Sequence, residues 1–169
     1  MTILHVIRHG HIGGCESHLL GILKNLDSRE IQPIVIALSY GDMVECIRDK
    51  GLPCYVLPYQ NYGLLTLSRQ IHLIALQHQV DLVHAHDRNA ANACLYTTYQ
   101  QKTPMLYGTH CWSFHQKASW FRKLILRNNE RYLVRHSKMN IAASEIQPQG
   151  RSSLLYGWKN QLLYHMEWM

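Results

Sequence analysis

Apolar positions along the chain come in two spacings that alternate. Short continuous blocks such as PIVIAL (33–38), DLVHAH (81–86) and MNIAAS (139–144) read as strands covered on both faces. Between them lie longer stretches whose apolar residues recur every three or four positions, as with Leu19, Leu20, Leu23 and Leu26. The pattern predicts strands over 3–8, 33–38, 53–58, 81–86, 104–110 and 139–144. It predicts helices over 16–26, 42–50, 64–78, 88–100 and 119–136, with Gly51 just past the end of the second.

Strands alternating with helices of this length imply right-handed βαβ units. The expected fold is a doubly wound α/β domain: a mostly parallel sheet, Rossmann-like, with helices on both faces. In the order 3-2-1-4-5-6 the sheet reverses between strands one and four, and a ligand crevice lies beyond the carboxyl ends of the strands there. Three corners then converge: 10–14, 84–89 and 108–110.

The composition is that of an ordinary globular protein, 47% hydrophobic and 17% charged in 169 residues. No apolar run suits a membrane span, and no secretory leader is expected at the start. Five cysteines without CxxC spacing read as free thiols in a reducing cytosol. Charge changes the picture more. Residues 1–100 hold 7 Lys/Arg against 8 Asp/Glu, whereas residues 101–169 hold 10 against 3. The second half therefore looks toward an anionic partner.

The first corner, GHIGGCE, is not a GxGxxG motif, and no acid after strand two is well placed for a ribose hydroxyl. A dinucleotide site is not indicated. Gly13 and Gly14 instead let backbone amides approach a ligand at a helix N-terminus, which favours negative charge; the plainer reading is a tight turn. In HAHDRN, His84 and His86 point to the same side of a strand at the spacing of an HxH metal pair. His110 and Asp87 could add ligands, but no downstream cluster completes a set, and no metal is expected. His84, deeper in the strand, reads as structural. His86, at the tip, is placed to reach a ligand as donor or proton shuttle. His110 takes the equivalent tip of strand five, as loop cap or substrate contact. Ser144 and Glu145 end strand six, where Ser144 could equally be an N-cap.

The segment KASWFRKLILRNNERYLVRHSK carries seven basic residues and one acid, Glu130. Trp120, Phe121, Leu124, Ile125, Tyr132 and Leu133 are expected toward the core, with Arg122, Lys123, Arg127, Arg131 and Arg135 outside. Such a face is either simply solvated or binds an anionic membrane surface, through Arg122, Lys123 and Arg127. Nucleic acid is not expected, since no stacking platform or reading motif accompanies the charge.

Taken in order, ILHVIRHGHIGGCESHLLGILKNLD, VDLVHAHDRNAANACL, TPMLYGTHCW and MNIAASE resemble the N-terminal, acceptor-side domain of glycosyltransferase family 4, which has the GT-B fold. The likeness runs from about residue 2 to 146. It implies transfer of a sugar from a nucleotide diphosphate sugar with retention of configuration, to a lipid or polysaccharide acceptor. The setting it implies is cytoplasmic, peripheral at the inner membrane face, with no cofactor beyond the sugar nucleotide as donor substrate. By this resemblance Gly13 and Gly14 approach the donor diphosphate and His86 contacts the transferred sugar near the reacting centre. His110 is a second cleft histidine, and Ser144 and Glu145 match the SE that leads to a second domain.

The expected organisation is a GT-B N-terminal domain over 1–146 and an atypical tail over 147–169. Leu154, Leu155, Trp158, Leu162, Met166 and Met169 give that tail helical spacing, to pack back on the domain or join a second copy. The family's C-terminal nucleotide-binding domain has no counterpart in these residues. Two expectations follow: half of a retaining glycosyltransferase, inactive until a donor-domain partner completes it, or a stand-alone non-enzymatic scaffold acting at a membrane surface or on a partner protein.

Overall fold

The computed structural model describes residues 1–27, 29–109, 119–142 and 161–163. Its strands are β1 (Thr2–Ile7), β2 (Gln32–Ala37), β3 (Cys54–Val56), β4 (Leu82–Ala85), β5 (Met105–Thr109), β6 (Met139–Ala142) and β7 (Gln161–Leu163). Its α-helices are α1 (Gly14–Asn25), α2 (Asp42–Arg48), α3 (Leu64–Gln77), α4 (Arg88–Gln101) and α5 (Trp120–His136). Every strand pairing is parallel, in the order β3-β2-β1-β4-β5-β6-β7. The expected reversal between β1 and β4 is therefore present. At 161–163 the expected helical tail is instead an edge strand on β6, because a parallel sheet still offers an unpaired β6 edge that backbone hydrogen bonding can use. The rest of that tail lies outside the described residues.

Two layers of helix explain why the strands are apolar without alternation. On one face Leu4, Val6, Ile34, Ile36, Val83, Ala85, Met105 and Tyr107 pack with residues of α3, α4 and the second half of α5. On the other, Ile7, Val35 and Ala37 pack with Leu19 and Leu23 of α1 and Met43, Val44 and Ile47 of α2. Each fully buried aliphatic side chain contributes about 1.5–3 kcal/mol by leaving water.

Helix α5 departs from expectation. Trp120, Phe121, Ile125 and Tyr132 are exposed, by 77%, 58%, 53% and 42%, while Glu130, Leu133 and Val134 are buried. Length is the reason. Seventeen residues of helix span about 25 Å, whereas the five residues of β5 span about 16 Å. The second half of α5 is fixed on the sheet and on α4: Tyr107 donates its hydroxyl to Glu130 at 2.5 Å, and Asn92 and Asn129 exchange amide hydrogen bonds at 3.0 and 2.9 Å. Since α5 runs against the strands, its free first half overhangs their carboxyl edge.

Candidate functional site

The carboxyl edge at β1 and β4 is built by three loops that hold each other. After β1 the chain turns at Gly10, which packs directly on Gly41 of the β2–α2 loop. A Cβ on Gly10 would run into the Ser39 carbonyl, and one on Gly41 into the Gly10 carbonyl. Gly10 N donates to Ser39 Oγ at 2.9 Å, and Met43 N donates to the Gly10 carbonyl at 2.8 Å. Asp42, the acid nearest the end of β2, accepts from Ile12 N at 3.0 Å, which holds its carboxyl below the usual range. Its carboxylate is thus occupied in bracing the first corner.

That brace presents the start of α1. Gly13 is its N-cap and no side chain caps the first turn. A Cβ on Gly13 would meet the Glu16 carboxylate at 2.8 Å, but one on Gly14 would have nothing within 4 Å. Packing therefore explains glycine at 10, whereas among the described residues nothing packs close enough to Gly14 to require glycine there. The neighbouring start of α4 is different: Asp87 Oδ1 accepts from Asn89 N at 2.8 Å and Ala90 N at 3.1 Å. Of the two helix starts at the switch point, only that of α1 lacks a side-chain cap for an anion to displace.

Arg8 stands at the rim between them, exposed. With the Asn89 amide oxygen turned toward it, that oxygen accepts from Arg8 Nε at 3.1 Å and Nη1 at 3.3 Å. Arg8 is absent from the residues the sequence singles out, although its place just past a strand end, two residues before Gly10, was a visible signal.

Beneath the rim lies a cluster of imidazoles. The β1–β4 register sets His5 opposite His84, and His86 continues the ladder, its N–H donating to the Val6 carbonyl at 2.9 Å. His84 and His86 rings stack at 3.9 Å and 30°, and His5 lies 5.3 and 5.4 Å from them. His18 of α1 meets His86 edge-on at 6.4 Å. Cys15 Sγ donates to the His86 carbonyl at 3.3 Å. His5, His84 and His86 are all buried, and His86 has no exposed surface. His84 lies within β4, one strand position deeper than the tip. His86 is at the end of its strand as expected, but covered. Burial lowers His5 to about 4 and also lowers His18.

Donor atoms of His5, His84 and His86 lie within 4.8 Å of one another. An ion bound by a ring nitrogen lies in the ring plane about 2 Å from it. The planes of two rings 3.9 Å apart and 30° from parallel meet well beyond that reach. The stack as it stands does not aim His84 and His86 at one ion.

His110, Ser144 and Glu145 lie outside the described residues, as does the third corner past Thr109. Gly108, the last part of β5 described in full, adjoins the cluster: a Cβ there would touch His84 Nε2 and His86 Cα at 3.6 Å. Among the described residues, no helix is long and apolar enough to cross a membrane.

The model of the family described as Glycosyltransferase Family 4 matches residues 12–147. No curated protein matches by sequence. Among solved structures, the chain is similar to Anabaena Alr3699/HepE in complex with UDP-glucose, with a TM-score of 0.69 and 21% identity over 96% of this chain and 43% of that one. It is also similar to Acinetobacter baumannii MurG, with a TM-score of 0.64 and 15% identity over 96% of this chain and 44% of that one. The lipopolysaccharide outer core galactosyltransferase WaaB in its apo form gives a TM-score of 0.63 and 11% identity, over 86% of this chain and 40% of that one. The chain thus spans under half the length of each of these structures.

Proposed function

The chain belongs to glycosyltransferase family 4, and from that premise we propose that it is the acceptor-side Rossmann-like half of a retaining GT-B enzyme. In this reading a sugar passes from a nucleotide diphosphate sugar to a lipid or polysaccharide acceptor. Transfer needs a second, donor-binding domain closed over the crevice, so the half alone does not turn over. The observation that carries the reading is Gly14, a glycine with open space at an uncapped helix start on the switch point of the sheet. A diphosphate leaving group gains negative charge as the glycosidic bond breaks. The Gly14 and Cys15 amides and the α1 dipole would stabilise that charge, with Arg8 at the rim adding a positive side chain. That HepE was crystallised with UDP-glucose supports the same ligand class.

His86 contacts the transferred sugar in this proposal. Its burial means that the α1 corner carrying Cys15 and His18 must move off the ring as ligand enters. His110, Ser144 and Glu145 contribute substrate contacts, and no cofactor is required. The overhanging first half of α5 supports a peripheral site on an anionic cytoplasmic membrane face, on the same edge as the crevice, where a lipid-linked acceptor would be met.

Amide chemical-shift mapping with a panel of UDP- and GDP-hexoses tests the proposal. Shifts centred on Gly13, Gly14 and Cys15 are expected with at least one of them at millimolar concentration. If that corner stays silent throughout while vesicles bind, the second reading replaces it: a non-enzymatic domain working at a membrane surface, which the exposed α5 face by itself would favour.

A further inference from the structure

We infer that Arg88 seats a phosphate carried by the acceptor, and that this acceptor is an anionic lipid whose apolar chain lies along the overhanging half of α5. The inference rests on the acceptor-side reading given above and names the chemistry of the acceptor.

Arg88 opens α4 at the carboxyl edge of β4, directly after the cap residue Asp87. Its side chain is half-buried, and Nη1 is buried with no hydrogen-bond partner among the described residues. An arginine that merely covers apolar surface buries its stem and keeps its head in water. At Arg88 the shielded atom belongs to the head. A buried cationic donor without an acceptor is costly to keep, and the acid beside it gives no relief. The Asp87 carboxylate accepts instead from the backbone amides of Arg8, Asn89 and Ala90. No carboxylate among the described residues forms an ion pair with Arg88. A phosphate oxygen supplies what is missing, because the guanidinium fork matches phosphate in geometry and charge.

Position in the fold separates this seat from the donor corner. Helix α1 covers one face of the sheet, whereas α4 and α5 cover the other. Gly14 and Arg88 therefore open helices on opposite sides of the sheet, with the crevice between them. A donor diphosphate held at α1 leaves Arg88 for the second substrate.

The surroundings of Arg88 give that substrate its apolar part. Helices α4 and α5 are joined by the Asn92–Asn129 amide pair. One turn toward the start of each helix from that pair stand Arg88 on α4 and Ile125 on α5. Asn129, Ile125 and Arg122 share one helix face, with Phe121 beside it. Since α4 begins at Arg88, beyond that level this face has no residue of α4 to pack on, and Ile125 and Phe121 are exposed. A cation at the foot of an exposed apolar strip fits a phosphate esterified to an apolar chain. A soluble sugar phosphate would use the cation and leave the strip bare.

Arginine Nε–H signals in ¹H–¹⁵N correlation spectra of the full chain report on the seat. Two probes separate charge from chain: inorganic phosphate, and dihexanoyl phosphatidic acid kept below its micelle concentration. Phosphatidic acid should shift the Arg88 Nε–H and the Ile125 amide, and should bind at least about tenfold more tightly than inorganic phosphate. Arg88→Gln should weaken its binding by about tenfold. The urea midpoint of that variant should hold, because Nη1 bonds to nothing among the described residues. An Arg88 signal that neither probe moves overturns the inference, as does equal affinity for the two probes. A clear fall in the urea midpoint of Arg88→Gln also overturns it, by making the side chain structural. UDP- and GDP-hexoses should move Gly13, Gly14 and Cys15 and leave Arg88 in place. A response to phosphatidic acid at Arg88, with silence at Gly14 toward every sugar nucleotide, would sink the glycosyltransferase reading and leave the lipid seat standing. The reverse pattern would overturn the seat alone.

Discussion

The backbone N–H of Arg8 donates to Asp87 Oδ2 at 2.8 Å, joining residues 79 apart in sequence at the ends of the two central strands. The other oxygen of the same carboxylate caps α4 through Asn89 N and Ala90 N. One side chain therefore sets both the start of α4 and the separation of the two corners that face each other across the crevice. Asp87→Ala should cost about 2 kcal/mol, chiefly the lost cap. Asp87→Asn should recover only part of it, since the amide oxygen can still cap α4 but the amide nitrogen that replaces Oδ2 cannot accept from Arg8 N. Urea unfolding of the two variants checks the order.

Two glycines of the first corner should behave in opposite ways. Gly10→Ala drives a methyl into the Ser39 carbonyl, and neither loop backbone can yield cheaply. A loss of about 3 kcal/mol is expected. Gly14→Ala adds a methyl in open space at the first position of a helix. Stability should hold, or rise by up to about 1 kcal/mol. Donor binding at that corner should nevertheless weaken by about tenfold, or about 1.4 kcal/mol, if a diphosphate approaches the amide. Paired unfolding and binding measurements on Gly14→Ala separate packing from function, and unchanged binding would remove the corner from the site.

That contrast shows what the linear pattern could and could not reveal. Periodicity carried the strand–helix alternation, the strand order and the switch point because each depends on local spacing and on chirality shared by all such folds. It could not say which glycine is structural, since the atoms that demand glycine at 10 belong to a loop 30 residues away. His5 was hidden for a similar reason. Inside TILHVI it reads as one more buried strand position, and only the pairing of β1 with β4 makes it the neighbour of His84 and His86. Trp120 and Phe121 fit a helix face by spacing, yet whether that face meets the sheet depends on where the sheet ends.

The imidazole cluster should make the protein acid-sensitive well above the carboxylate range. His5 binds a proton near pH 6.5 when unfolded and only near pH 4 when folded. Between those values the unfolded chain holds the extra proton, so acid favours unfolding. The stabilisation is complete above about pH 6.5 and is lost as pH falls toward 4, amounting to about 3 kcal/mol. Denaturant titrations at pH 7 and pH 4.5 should show the loss, and His5→Leu should flatten the dependence. An equal slope in that variant would assign the acid sensitivity to other groups.

The overhanging half of α5 joins two features that usually oppose each other in water. Trp120, Phe121 and Ile125 are exposed apolar side chains, and Arg122, Lys123 and Arg127 interleave with them, with no acid in the first turns of the helix. Cations near an anionic bilayer contribute about 1 kcal/mol each, and the rings can sink into the headgroup boundary. Binding to vesicles containing phosphatidylserine should thus fall roughly 100-fold when all three cations become glutamine, and should weaken with added salt. Trp120→Ala with Phe121→Ala should lower binding to the same vesicles while leaving the salt dependence intact, because the charges remain. The two sets of variants therefore distinguish an electrostatic encounter from insertion. Partition that neither set changes would leave α5 a solvated face and put the acceptor elsewhere.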